Sequence, residues 1–536
     1  MTDVHESGSE EELELRLIGA ESNKEVPTRA STQSLIVLGL GFGGLQLVFA
    51  TIFSHGSAFL NSLNFSKPII ALIWIAGPLC GATLQPYFGI CTDQYRSRYG
   101  KRRPFILSGA GVIIVALLGL GWSKEIGPAI ASGLTFTSES AIQQSILLNV
   151  VFCIFALNAA IQPLQCGLRS LVVDICPKEQ QEAAHAWIGR FISVANVLNY
   201  SAGYADLPRW LPWLGSSQFP ILCVITSLAL AIIIALTCFV VQEQRSDLDS
   251  AAAGDHETVL QKLRYLCTSF PRLPKQVRKV CWVQFFAWMG WFPFLYYIAV
   301  YIGIIFRERN PSSEVRVSTR TTGIDEEAAR MGSFGLFLFA VASLLAGAGL
   351  PALLSHLGRR AKYHGQKRQR YRLENMQLLW IVSHILFASC MWLTLPISSL
   401  WGTYVLLCFS GFSWAVTIWA PFAIIGMAIA EDGSNSSVEF QKGETRPGVV
   451  LSLHNVAIAT PQVAAAVGSS FILWALDGGE GKWSPNSIGW TLRIAALSTI
   501  AAAVLTRNVV VRHDQKIYQF DTYPAMQHAC YACLPL

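Results

Sequence analysis

Long apolar runs separated by short polar gaps set the pattern of this chain. They fall at 35–53, 68–90, 105–122, 146–172, 187–205 and 219–241, and then at 281–304, 333–356, 377–397, 401–428, 449–475 and 489–510. A helix of roughly 20 apolar residues crosses the hydrocarbon core of a bilayer and satisfies its own backbone where no water is present. Helices of a soluble protein carry a polar face, and twelve runs at this density leave no room for one. The pattern predicts an all-α integral membrane protein with twelve transmembrane helices. A polar stretch at 242–280, holding Glu243, Arg245, Asp247 and Asp249, divides the runs six and six. The expected order is a polar tail (1–34), a six-helix bundle (35–241), a linker (242–280), a second six-helix bundle (281–510) and a second tail (511–536).

Composition agrees. Only 14% of the 536 residues are charged and 52% are hydrophobic, against about 25% charged in a globular protein; the mean hydropathy is +0.42. The first thirty residues are polar and acidic (Glu10, Glu11, Glu12, Glu14) and lack the basic start and apolar centre of a cleavable signal, so the first run is expected to act as the insertion signal. With the N-terminus in the cytosol, most of the 40 Lys and Arg residues fall in even-numbered gaps, notably Arg96 to Arg103, Arg264 to Lys279 and Arg359 to Arg372. This is the positive-inside asymmetry, and it places both termini in the cytosol. The net charge of +6 is then a matter of topology and calls for no nucleic acid. Several of the thirteen cysteines (Cys80, Cys153, Cys166, Cys390, Cys408) lie in apolar runs, as small packing residues do. Cys530 and Cys533 form a C-x-x-C in the tail, better suited to palmitoylation than to redox or zinc chemistry. No metal-ligand spacing and no nucleophile with its base is present, so neither an enzyme nor a cofactor is expected, and no obligate protein partner.

Chemistry concentrates in two places. Between runs two and three the chain reads Gly89-Ile-Cys-Thr-Asp93-Gln-Tyr-Arg96-Ser-Arg98-Tyr-Gly100-Lys101-Arg102-Arg103-Pro104. Gly100 permits a turn that a Cβ disfavours, Asp93 suits an arginine or a helix N-terminus, and Pro104 fits the opening of the next helix. Asp93, Gly100, Arg102 and Arg103 are therefore candidates for a cytosolic gate that latches two moving halves. Gly358-Arg359-Arg360 recurs after run eight, the equivalent place in the second half. The other place is run four, where Asn158, Gln162, Gln165 and Arg169 recur at four, three and four and share one helical face. An arginine at membrane depth faces a cavity or a partner, and amides offer both donors and acceptors to sugar hydroxyls. Gln46, Asn196, Asn455 and Gln462 are further amides within apolar runs; Trp288, Trp291, Trp414 and Trp419 are candidate platforms for a sugar ring.

These features carry a specific resemblance. Leu84-Gln85-Pro86 through Arg102-Arg103-Pro104-Phe105-Ile106 resembles the second-loop signature of sucrose transporters in the glycoside-pentoside-hexuronide branch of the major facilitator superfamily, the fungal members above all. Gly43-Gly44-Leu45-Gln46, Gly167-Leu168-Arg169, Asn196-Val-Leu-Asn199, Trp291-Phe292-Pro293-Phe294, Pro421-Phe422-Ala423 and Pro461-Gln462 extend the likeness over nearly all runs. The resemblance implies two pseudo-symmetric six-helix bundles that rock about a central site. It implies a sucrose or α-glucoside substrate and a proton as coupling ion, and it places the residue matching Arg169 in the substrate and proton-coupling centre. With that arginine, Gln46, Asn158, Gln162, Asn196, Trp291, Asn455 and Gln462 are the residues expected to contact substrate. The plasma membrane is the expected site, with the vacuolar membrane as alternative.

The proton route departs from the plant pattern. The plant symporters carry an aspartate eleven residues before the run-four arginine, where this chain has Asn158, and two more after the Trp-Phe-Pro-Phe motif, where it has Ile298 and Val300. Asp174 and Asp206 remain as proton-coupling candidates, with an uncoupled facilitator or a non-transporting sensor on the same scaffold as alternatives. His55 and His454 are not obvious substitutes for the histidine of the plant family's first outer loop.

Overall fold

The computed structural model describes residues 30–509, apart from 64, 66–69, 71–72, 96, 98, 136–137, 178–179, 216, 242, 244–269, 310–320, 361–365, 433–446 and 477–483. Twelve membrane-length helices follow one another. The first half holds α1 (Thr32–Thr51, continued through a π-helical turn, Ile52–Gly56, into Ser57–Ser62), α2 (Ala76–Gln94), α3 (Arg103–Gly121), α4 (Glu139–Ile175), α5 (Gln181–Tyr204) and α6 (Gln218–Val240). The second holds α7 (Lys275–Arg309), α8 (Thr321–Arg360), α9 (Gln366–Leu393), α10 (Leu400–Asp432), α11 (Pro447–Leu476) and α12 (Pro485–Thr506). The fold class is the one the hydropathy predicts. Ten of the twelve are long and apolar enough to cross a membrane by length and composition. The other two, α2 and α5, carry Gln85, Thr92, His185, Arg190, Asn196 and Asn199 in their interiors, which marks them as walls of a polar interior.

Capping sharpens several starts. Ser31, Ser138 and Ser484 accept from the backbone N–H three residues on, at 3.1, 3.3 and 3.0 Å, and Pro104 sits in the first turn of α3. The hydropathy underestimates α4, α7, α8 and α9, which run on past the apolar core into polar sequence. It also misses an amphipathic helix, Ser123–Gly133, between α3 and α4.

The internal repeat is explicit in the packing. In the first half α1 packs on α5 and α6, α3 on α4 and α6, and α2 on α4; six helices later α7 packs on α11 and α12, α9 on α10 and α12, and α8 on α10. The broadest contacts between the halves, α2 with α11 and α5 with α8, exchange under the same shift. Each half has its own apolar core, around Ile106, Leu117 and Ile154 in the first and Trp291, Phe294, Phe339 and Phe387 in the second.

Without a hydrophobic drive between helices in lipid, close approach at small residues carries much of the packing. At Gly411 of α10 a Cβ would lie 2.3 Å from the Phe339 carbonyl oxygen and 3.1 Å from the Ser343 nitrogen of α8. Backbone cannot yield there as a side chain can. Overpacking costs about 1–3 kcal/mol where neighbours can adjust, so Gly411→Val is expected to remove most of the folded protein, measured as the monodisperse peak in size-exclusion chromatography. A peak of wild-type height would show that the two helices need no such contact.

The alternation of directions is visible in the bonds at each face. On one, Ala30 and Gln180 exchange backbone–side-chain bonds of 2.8 and 3.1 Å, Arg102 meets Asp174, and Glu243 meets the α2–α3 turn. On the other, Gln143 donates to the Leu63 carbonyl at 2.7 Å and Arg330 to that of Tyr204 at 2.9 Å. The first face carries the described basic residues Arg102, Arg103, Arg272, Lys275 and Lys279 and is the cytosolic one.

Candidate functional site

A cavity of about 230 Å³ lies between the halves, walled by α1, α2, α4 and α5 on one side and α7, α10 and α11 on the other. Its position explains a local oddity of sequence. Gln85-Pro86, Gln162-Pro163, Phe292-Pro293, Pro421-Phe422 and Pro461-Gln462 each set a helix-interior proline beside a lining residue. A proline removes one i→i−4 bond and bends its helix, tolerable at membrane depth where the backbone borders a polar cavity or other protein.

The α4 stripe faces this space: Asn158, Gln162, Gln165 and Arg169 all line it. Asn158 and Gln162 donate to the carbonyls four residues back, Ile154 and Asn158, at 2.8 and 2.9 Å, which turns their amide oxygens outward from the helix. The Asn158 oxygen lies where a Cβ on Gly77 would be 3.1 Å away, so that glycine makes room for it. The Arg169 guanidinium reaches the Asn455 oxygen at 3.4 Å and lies 5.2 Å from the centre of the Phe422 ring. Asn455 donates in turn to the Gly81 carbonyl at 3.2 Å. Arg169 and Asn455 thus join the two halves across the cavity wall.

Six of the eight residues expected to meet substrate line the cavity: Gln46, Asn158, Gln162, Arg169, Asn455 and Gln462. Asn196 lies behind, accepting from Gln46 at 3.0 Å, and so orients that amide. Trp291 is 1% exposed and packs against Phe387, Phe294 and Trp414 in the core of the second half. Trp288 and Trp414, 5.8 Å apart and edge-on, take the lining positions. At the outer end Tyr296 of α7 meets Phe53 of the π-turn at 5.0 Å and Trp74 at 5.6 Å, an aromatic contact between the halves.

Neither carboxylate proposed for the proton borders the cavity. Asp174 pairs with Arg102 at 2.8 Å on the cytosolic face and is 42% exposed. Five residues beyond Arg169, it has turned by about 140° and moved about 7.5 Å along the helix, off the cavity stripe. Asp206 is 45% exposed at the outer face and lies 3.9 Å from Arg330, which belongs to the second half.

The described gate residues bond within the first half. Gly100 adopts φ 108°, and the Glu243 carboxylate beyond α6 accepts from the backbone N–H groups of Lys101, Arg102 and Arg103, the last at 2.8 Å. Arg103 donates to the Val241 carbonyl at 2.8 Å. These bonds, with Arg102–Asp174, tie the α2–α3 turn to α4 and α6 of its own half. The Asp93 side chain lies outside the described residues.

Among the lining residues that escaped the sequence reading is a histidine. His185 of α5 stacks on Phe422 at 6.0 Å, and His454 of α11 meets the same ring edge-on at 5.0 Å. Its signal was a place on the 185, 188, 192 face of α5, shared with many packing residues.

Known proteins agree with this architecture. A sequence model of the Major Facilitator Superfamily matches residues 34–440. The chain is 30% identical to the general alpha-glucoside permease of Schizosaccharomyces pombe, over 91% of this chain and 95% of that protein. It is 23% identical to the sucrose transport protein SUT3 of Oryza sativa subsp. japonica, over 92% and 97%. Among solved structures, the xylose transporter XylE of E. coli matches with a TM-score of 0.54 at 14% identity, covering 90% of this chain and 98% of that one. A bacterial homologue of ferroportin matches with a TM-score of 0.56 at 13% identity, over 89% and 98%; both likenesses concern the fold alone. The chain is an integral membrane sugar transporter of the major facilitator superfamily, from the family that holds the fungal α-glucoside permease and the plant sucrose transport proteins.

Proposed function

We propose that the chain carries sucrose or a related α-glucoside together with a proton across the plasma membrane, by alternating access of the cavity between its halves. The observation that carries the substrate class is the wall itself. Seven amides (Gln46, Gln85, Asn158, Gln162, Gln165, Asn455, Gln462), one guanidinium and the rings of Trp288, Trp414 and Tyr296 surround it, and no carboxylate lines it among the described residues. Sugars present hydroxyls that donate and accept, and a ring face of C–H groups. Amides answer the first and indoles the second. The Trp288 indole N–H and the Gln85 and Gln162 carbonyl oxygens are buried without a protein hydrogen-bond partner, and a buried polar group left so is costly. A bound hydroxyl would relieve that cost. The permease and sucrose transport proteins to which the chain is similar support the α-glucoside assignment.

Alternating access requires contacts that break on each side in turn. Arg330 with Asp206 and Tyr204, and Tyr296 with Phe53 and Trp74, hold the outer side; Arg169–Asn455 and the stack of His185 on Phe422 hold the cytosolic end of the cavity. The absence of a lining carboxylate among the described residues favours one second reading, an uncoupled facilitator.

Uptake of labelled sucrose into yeast lacking their own sucrose carriers and external invertase tests both, at acidic and neutral pH, with and without an uncoupler. Accumulation above the outside concentration that collapses with uncoupler is the expected result. Saturable equilibration indifferent to uncoupler would establish the facilitator. Correctly localised protein that moves neither sucrose nor other α-glucosides would overturn the substrate assignment.

A further inference from the structure

We propose that His185 binds the coupling proton, a role no aspartate at the cavity can fill among the described residues. The inference rests on the proton-coupled reading above and assigns its site. Of the described residues that line the cavity, only Arg169, Tyr296 and His185 carry a titratable side chain of oxygen or nitrogen. A guanidinium stays protonated in proteins and a phenol ordinarily titrates near pH 10, whereas an imidazole ordinarily titrates near 6.5. By chemistry and access His185 is the group that can take a proton from the cavity and return it.

Its surroundings give the proton a reason to travel with sugar. The Phe422 ring of α10 is shared by three groups from three other helices: Arg169 of α4 at 5.2 Å, His185 of α5 at 6.0 Å and His454 of α11 at 5.0 Å. α5 itself adds Arg190, which lies over Trp187 at 4.9 Å; the side chain of Glu182 lies outside the described residues. An imidazolium at 185 therefore shares a wall with the fixed charge of Arg169, and like charges repel. A sugar oxygen that accepts from the imidazolium offsets that repulsion and fills a donor that the protein leaves open. Sugar and proton then each favour the binding of the other, and the coupling is reciprocal. When the cytosolic side opens, separation of α5 from α10 parts His185 from Phe422 and exposes it to solvent, where the proton leaves with the sugar.

His454 is the neighbouring alternative and is disfavoured by access. It is fully buried, both ring nitrogens lack a hydrogen-bond partner, and it lies outside the cavity lining. His55 is buried at the outer π-turn, its Nδ1 3.0 Å from the Ser54 hydroxyl, and is also outside the lining.

The full chain reconstituted in liposomes separates coupling from transport. Two readouts are needed: sucrose accumulation driven by an imposed proton gradient, and sucrose exchange at equal pH. Wild-type protein is expected to accumulate sucrose. His185→Gln is expected to keep measurable exchange while uphill accumulation falls at least tenfold, and its apparent sucrose affinity is expected to lose its dependence on pH. His454→Gln is expected to keep uphill accumulation. Accumulation by H185Q, or its loss in H454Q alone, would overturn the assignment. A folded H185Q that loses exchange and accumulation together would also overturn it: glutamine can still donate to the sugar oxygen, so such a loss would assign the imidazole a structural role and not that of proton carrier. Should H185Q not fold, sucrose affinity of the wild type across the imidazole titration range decides instead: an affinity indifferent to pH sinks the proposal. A wild type that exchanges sucrose but never accumulates it would overturn proton coupling itself, a distinct failure visible before any variant is made.

Discussion

Arg169→Lys is expected to reduce sucrose uptake by one to two orders of magnitude while the protein remains in the membrane at wild-type abundance. The arginine lies within α4 with its charge toward the cavity, touching the Asn455 oxygen at 3.4 Å and the Phe422 ring at 5.2 Å, and no carboxylate pairs with it among the described residues. Lysine keeps the charge but replaces a planar fork of five donors with a compact ammonium. Hydrogen bonds to a charged group contribute about 1.5–3 kcal/mol each, so losing one well-aimed contact to a sugar oxygen corresponds to roughly 10- to 150-fold in affinity. Arg169→Gln removes the charge as well and is expected to be at least as damaging. Concentration-dependent uptake in whole cells, normalised to surface protein, measures both. If R169K transports at more than half the wild-type rate, the guanidinium fork is not what holds the sugar, and the residue serves the contact between halves through its charge alone.

Why this residue could be chosen from sequence while others could not is a matter of helical geometry. Asn158, Gln162, Gln165 and Arg169 sit on one element, and a period of 3.6 places them on one face whatever the neighbouring helices do. The cavity then confirms their common direction. For α7 the same rule was available and was decisive in a finer way. Positions 288, 292, 295 and 296 form its cavity stripe, and Trp291 falls just beyond the edge, into the core with Phe294 and Phe387. Hydropathy cannot make that distinction, because a tryptophan at membrane depth reads the same in either place. Depth is equally blurred. Asp174 is near Arg169 in number, yet about 1.4 turns carry it to the Arg102 ion pair at the cytosolic face. His185 was invisible for the opposite reason: its meaning comes from α10 and α11, whose Phe422 and His454 lie more than two hundred residues away and meet it only in the assembled halves. The twelve helices, being local in origin, were legible; the π-turn at Ile52–Gly56 and the helix at Ser123–Gly133, which depend on packing at the outer face, were not.

Glu243→Ala is expected to destabilise the protein more than any single change at an exposed charge would suggest. A surface ion pair is worth at most about 1 kcal/mol, and by that measure a glutamate just outside the membrane should matter little. Glu243 does something else. It follows α6 and accepts from the backbone N–H groups of Lys101, Arg102 and Arg103, where α3 begins. The first N–H groups of a helix have no partner of their own, and a negative charge there is favoured by the helix dipole. Each such donor left buried and unmet costs about 1–3 kcal/mol, so removal of the carboxylate exposes the protein to a loss of several. Gly100 belongs to the same device: with φ 108°, it brings the turn so near that a Cβ would stand 2.7 Å from the Glu243 Oε2. Glu243→Gln keeps one acceptor and is expected to fall between wild type and alanine in thermal stability, measured by size-exclusion chromatography after heating in detergent. The substitutions also test what the basic cluster is for. If the cluster latches the two halves together, E243A should alter the balance of inward- and outward-open states while the protein stays as heat-stable as wild type. If it staples α3 to α4 and α6 within one half, as the bonds to Asp174, Val241 and Glu243 indicate, stability should fall and uptake per folded molecule should persist.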